Sequence, residues 1–263
     1  MLQVLNPKYS FVQFNEAVSN CDQRLPVVRN DDIVFQIKLQ EGSDDAVIDT
    51  IITSGGSIDL VDEKLQVIKA NAGTLEGKKI SEHSAILYNA DAIDVYAAGC
   101  FRLRISINGV NYYSNCFKFY ESFKYSSTIE YSNKENSNDF VYCGWKRKNK
   151  IRLPFYLSKP KLKNLIHKTY VKSNGDIVLL ESKMTKSFEG KTDDLVFDFL
   201  EKLKVALISD SVTVHSFRYK GTVVMEGDMD IDYPDEDVDD ARATFELYAV
   251  PYNVRNSNCN TCP

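Results

Sequence analysis

Apolar and polar residues alternate most cleanly between Phe101 and Tyr113. Phe101, Leu103, Ile105 and Ile107 alternate with Arg102, Arg104 and Ser106; Asn108-Gly109 intervenes, and Val110-Asn111-Tyr112-Tyr113 follows. Period-two alternation puts one set of side chains on each face of a strand. Asn-Gly is a favoured dipeptide for a tight primed turn. The pattern therefore predicts an antiparallel hairpin with one buried face and one wet face. Asn115 to Tyr120 continues that sheet or its neighbour. Upstream, Ile33 to Leu39 alternates over part of its length. Ala46 to Thr53 is rich in β-branched residues and ends at the turn signal Ser54-Gly55-Gly56-Ser57. Ile58 to Ile68 holds two further short apolar segments. All of these are expected as strands.

The second half carries a different period. Val196, Phe199, Leu200, Leu203, Ala206 and Leu207 recur at three- and four-residue spacing, which predicts a helix over about 193–208. Thr192 stands where a cap belongs. Asp193 and Asp194 occupy the first turn, where the helix dipole favours acids. Strands are expected at Lys168–Val171 and Ile177–Glu181 around Asn174-Gly175. Others are expected at Val212–Tyr219 and Thr222–Met225 around Lys220-Gly221, and at Ala243–Val250. The polar stretch Ser122 to Asn138 separates the halves. The expected fold is mainly β: an antiparallel β-sandwich or barrel with one flanking helix. Its expected domains are 1–125 and 126–263.

A chain of 263 residues with 43% hydrophobic content can build such cores. No apolar run approaches the ~20 residues of a membrane helix, so no membrane role is expected. The opening Met1-Leu2-Gln3-Val4-Leu5-Asn6-Pro7 lacks a basic region followed by a long apolar one, which makes the cytoplasm the expected place of synthesis and assembly. Six cysteines, Cys21, Cys100, Cys116, Cys143, Cys259 and Cys262, are scattered over a large chain. Buried reduced thiols are expected rather than a disulfide scaffold.

Signatures of catalysis are missing. His83, His167 and His215 lie far apart, and no Gly-x-Ser-x-Gly elbow occurs. Gly73-Thr74-Leu75-Glu76-Gly77-Lys78-Lys79 resembles a phosphate loop but has three residues between its glycines and no Ser or Thr after the lysine; a turn is expected there. Cys259 and Cys262 form a CxxC pair without the second pair a zinc ribbon needs. No enzyme activity and no cofactor are expected.

Charge is segregated. Glu226 to Asp240 holds nine carboxylates and no Lys or Arg. Asp228, Asp230 and Asp232 resemble the start of a calcium loop, but its sixth and twelfth positions are Tyr233 and Asp239 rather than Gly and Glu. Lys146 to Lys172 holds ten Lys or Arg and no acid, with Trp145, Phe155 and Tyr156 interleaved. Such a segment could contact nucleic acid, although the net charge of the chain is −5. One positive and one negative stripe are self-complementary between copies, and head-to-tail contacts close into rings. The candidate subunit interface comprises Trp145, Lys146, Arg147, Lys148, Lys150 and Arg152 on one side. Asp228, Asp230, Asp232, Asp235 and Asp237 form the other.

Tyr113-Ser114-Asn115-Cys116-Phe117-Lys118-Phe119 resembles a segment of tail-associated proteins from phages and prophages of Bacteroidetes bacteria, including crAss-like phages. Tyr131 to Asn136, Ile151-Arg152-Leu153-Pro154, Lys172 to Asp176, Thr192-Asp193 and Asn256 to Cys259 follow in the order seen there. The resemblance spans residues 97–260 and carries no catalytic residues. It implies a virion structural protein of the tail that forms or joins a ring, as an adaptor, tube or baseplate component around the DNA channel. The partners so implied are further copies, other tail proteins and DNA passing through the channel. The alternative is a carbohydrate- or cell-surface-binding β-sandwich of a tail tip or adhesin, using exposed Tyr and Trp.

Overall fold

The computed structural model describes residues 2–250 apart from 19–20, 22–23, 30, 42–44, 82, 96–98, 123, 137–139, 141, 143–147 and 234–239. The first half contains β1 (Leu2–Leu5), β2 (Phe14–Asn15), β3 (Leu25–Val28), β4 (Gln36–Glu41), α1 (Asp45–Ser54), β5 (Gly56–Val61), β6 (Val67–Ser81), β7 (Ser84–Asn89), β8 (Cys100–Ile107), β9 (Val110–Ser114) and β10 (Phe117–Tyr120). The second contains β11 (Ser127–Ser132), β12 (Asn149–Leu153), β13 (Phe155–Leu157), β14 (Lys161–Val171), β15 (Ile177–Thr192), β16 (Leu195–Val196), α2 (Phe197–Leu207), β17 (Ser211–His215), β18 (Lys220–Asp232) and β19 (Asp240–Ala249).

The fold is mainly β, in two sheets that part between Tyr120 and Ser127. The first runs β1-β4-β7-β6-β5-β8-β10-β3, with β9 on β8 and β2 on β9. The second runs β12-β11-β17-β18-β19-β15-β13, with β14 on β15 and β16 on β19. Pairing among the described strands is antiparallel except for β3 with β10, where Leu25 lies opposite Phe117. Buried apolar side chains of both sheets form one contiguous cluster. Phe11 of the first half meets Phe199 of α2 at 6.2 Å between ring centroids.

The hairpin of β8 and β9 forms as its alternation predicts. Asn108 and Gly109 take φ of 51° and 78°, the left-handed pair that a primed turn requires. The wet face, however, is partly covered. Arg102 is 2% exposed and donates from Nη1 to the Ser114 carbonyl at 2.8 Å. Its Nη2 approaches Cys21 Sγ at 3.1 Å.

Several local expectations change. Ala46 to Thr53 lies in α1, not in a strand. Ile48, Ile51 and Ile52 fall at three- and four-residue spacing, and Ile48 is fully buried. Packing overrides the β-branched composition. The helix rests where Gly77 leaves room: a Cβ there would stand 2.7 Å from Ile52 Cγ1. The flanking helix α2 starts at Phe197, four residues later than 193. Leu195 and Val196 pair with Ala241 and Asp240, and the Thr192 hydroxyl accepts from the Ala243 amide at 2.8 Å rather than capping. The turn after β17 lies at Ser216–Tyr219 and not at Lys220-Gly221. Finally, Cys21 and Cys116 form a disulfide with Cα atoms 5.5 Å apart, so reduced thiols were the wrong expectation for this pair. Among the described residues Cys100 is free, while Cys143, Cys259 and Cys262 lie outside the described residues.

The halves are joined by polar contacts as well as packing. Arg152 of β12 forms a bidentate pair with Asp31. Nearby, Gln36 Nε2 reaches Asn149 Oδ1 at 3.5 Å.

Candidate interaction surfaces

The hairpin of β14 and β15 runs on past the other strands of the second sheet. Ser187 to Lys191 of β15 pair with Thr244 to Tyr248 of β19, and Gly190 to Thr192 pair with β13. From Ile177 to Met184, β15 is laddered to β14 alone. Eight extended residues make an arm of about 25 Å. The turn is set by Asn174-Gly175-Asp176, with Gly175 at φ 90° and its amide donating to the Lys172 carbonyl at 2.9 Å. At the tip both faces of the hairpin are in water. Tyr170, Val171 and Ile177 are exposed, Ile177 at 72%. At the base Leu162 is exposed beside Lys163. The Lys163 ammonium donates to the Tyr248 hydroxyl and to Glu246, and these partners hold it above the ordinary lysine value.

A second surface is a recess of about 170 Å³ at the junction of three segments. Lys124 and Tyr125 approach from the chain before β11, Tyr156 and Leu157 from β13, and Phe217 and Arg218 from the turn after β17. The turn is rigidly built. The Ser216 hydroxyl donates to the Tyr219 carbonyl at 3.1 Å and accepts from the amides of Arg218 and Tyr219. Tyr219 packs on Phe188 at 4.4 Å and occupies the space beside Gly221, where a Cβ would lie 2.7 Å from its hydroxyl. This bracing aims Phe217 outward, 78% exposed. Arg218 is held by a bond from Nη1 to the Leu157 carbonyl at 3.3 Å.

The charged segments are only partly available to other copies. Arg152 is spent on Asp31, and Lys150 lies 3.9 Å from Glu130. Both therefore serve as internal joints and not as the free cations the interface reading requires. Lys148 is exposed. Trp145, Lys146, Arg147, Asp235 and Asp237 lie outside the described residues. Asp228 and Asp230 line a shallow recess with Glu189, Glu226, Glu246 and Lys161, so one lysine of the basic segment already faces the acidic one within the subunit. Asp228, Asp230 and Asp232 are spread along β18, where alternate residues stand nearly 7 Å apart. Among the described residues no three His, Cys, Asp or Glu side chains are grouped to hold a metal ion. Asp228, Asp230 and Asp232 thus lie along a strand and not in the turn that opens a calcium loop.

Other sequence candidates resolve as structure. Gly73 to Lys79 runs inside β6 and is a strand, not a turn. His215 Nε2 lies 3.8 Å from Glu130 across the β11–β17 pair. Burial pushes its pKa below the ordinary value while Glu130 opposes the shift. Neither residue lines the two recesses. Among the described residues no helix is long and apolar enough to cross a membrane. The β14–β15 hairpin and its Asn174-Gly175 turn form where the sequence places them, but its length beyond β13 and β19 and the aromatic recess escaped sequence reading. Tyr156 was visible as an aromatic among lysines, but Tyr125 and Phe217 gave no local signal.

The chain matches no protein-family model and no curated protein. One solved structure, described as "Crystal structure of Dpr2 Ig1-Ig2 in complex with DIP-Theta Ig1-Ig3", aligns over 92% of this chain and 91% of that chain. The identity is 8% and the TM-score 0.17, a likeness without weight for fold or function.

Proposed function

We propose that this chain is a non-enzymatic virion structural protein of a phage tail, forming or joining a ring around the DNA channel. The arm of β14 and β15 is the observation that carries the reading. A two-stranded ribbon is marginal by itself, and an exposed apolar group at its tip suits an association site. The arm gains most if Tyr170, Val171 and Ile177 dock on a neighbouring copy or another tail protein. The resemblance of residues 97–260 to tail-associated proteins points the same way. The Cys21–Cys116 bond suits a particle that works outside a reducing cytoplasm.

Native mass tests it. The purified chain is expected as a defined oligomer by light scattering, and Ile177→Asp with Tyr170→Ser is expected to return it to monomer without lowering its melting temperature. A monomer at every concentration and salt, alone and with tail extract, would remove the ring reading. The carbohydrate- or cell-surface-binding module would then take its place.

A further inference from the structure

We propose that the recess bounded by Tyr125, Tyr156 and Phe217 binds a nucleobase with its phosphate, as a free nucleotide or as one unit of a single strand. This is independent of the ring reading and uses a different surface.

Single exposed aromatics are ordinary. Here three rings from separate segments converge on one concave site. Tyr125 is 65% exposed, and the Ser216–Tyr219 turn braces Phe217 where no described residue covers it. Rings held open in this way supply flat faces for stacking. The volume of about 170 Å³ is below the roughly 300 Å³ at which drug-sized pockets begin, so it takes one ring with its substituent.

The polar lining decides which ring. Lys124 and Arg218 flank the aromatics, and among the described residues neither forms an ion pair. Among the described residues no carboxylate or carboxamide lines the recess. The two serine hydroxyls are already engaged: Ser127 donates to the Phe155 carbonyl at 2.9 Å, and Ser216 closes its own turn. A neutral sugar could bond the tyrosine hydroxyls but would leave the charges of Lys124 and Arg218 without a counter-charge. A planar base brings a π face for Tyr125 or Phe217 and a phosphate for Lys124 and Arg218. Aromatic platforms beside cations are the general means of holding single strands without reading sequence.

The experiment is fluorescence anisotropy of the full chain with a labelled thymidine oligonucleotide at low and high salt, with thymidine monophosphate and an acidic oligosaccharide as competitors. Binding that weakens with salt is expected. Phe217→Ala should weaken it about five- to a hundredfold, and Lys124→Glu with Arg218→Glu should flatten the salt dependence. These side chains are exposed, so an unchanged melting temperature separates lost binding from lost fold. Competition by the monophosphate identifies the free nucleotide as ligand; competition by unlabelled strand alone identifies the polymer. Either supports the site. Absence of binding at low salt, equal binding by wild type and Phe217→Ala, or preferential displacement by the oligosaccharide would overturn it. So would a Phe217→Ala chain that changes its native mass and not its affinity.

Discussion

Arg152 and Asp31, 121 residues apart, close a bidentate ion pair in which Arg152 Nη2 donates to Asp31 Oδ1 at 2.9 Å. Their side chains are 15% and 11% exposed. Arg152 Nη1 also donates to the Ser126 hydroxyl at 3.0 Å, and the Val28 amide donates to Asp31. A planar fork suits this geometry as an ammonium would not. Removing one partner leaves a charge in a poorly hydrated joint, so Arg152→Ala should cost about 3 kcal/mol. Arg152→Lys should recover only part of that. Urea unfolding of each single variant and of the double variant with Asp31→Asn measures the coupling; additive losses would show that the pair does not join the halves.

Gly190 lies against Phe245, and an added Cβ would come within 2.2 Å of the ring. Backbone and ring cannot both stay in place, because Phe245 is buried and packs on Phe155. Gly190→Ala should therefore lose about 1–3 kcal/mol. Combining it with Phe245→Leu should restore part of the loss. Thermal melts of the three variants check this, and a neutral Gly190→Ala would contradict the close approach.

The Cys21–Cys116 bond closes a loop spanning 95 residues of sequence separation. Cross-links of that span restrict the unfolded chain strongly, and Cys116→Ser should cost about 2–4 kcal/mol. Reducing agent should lower the wild-type melting temperature and leave the variant unaffected. Peptide mapping without reduction should show the two cysteines linked.

His215 gives the pH dependence a sign. Burial lowers its pKa in the folded chain, so below the ordinary value of about 6.5 the unfolded chain binds more protons. Its contribution favours folding at neutral pH and is lost as pH falls through that window. His215→Gln should reduce the difference in stability between neutral and mildly acidic solution. Denaturant midpoints at both pH values test it, and an unchanged difference would place the effect elsewhere.

Legibility followed the range of the interactions. The β8–β9 hairpin was readable because its alternation and its Asn108-Gly109 turn are local. The buried stripe of α2 was readable because Phe199, Leu200, Leu203 and Leu207 declare a period. The start of α2 was not, since the bridge from Leu195 and Val196 to β19 crosses more than forty residues. The fate of Arg102 was hidden for the same reason: what covers it includes Cys21. Ala46 to Thr53 misled because β-branched residues lend themselves to strands until packing on β6 is known. The recess gathers residues from 124 to 218, so no window of sequence contained it.

The parallel pairing of β3 with β10 bears on the order in which the chain acquires structure. Leu25 waits for Phe117, and Phe14 of β2 waits for Ser114 of β9. A nascent chain emerging at roughly 5–20 residues per second holds β2 and β3 without these partners for several seconds, whereas β1 meets β4 much sooner. Ribosome-arrested chains ending before Tyr113 should be digested from their N-terminus, while those exposing Tyr120 should resist. The first sheet is thus completed by its last strand, and β2 and β3, made early, are among the latest to be secured.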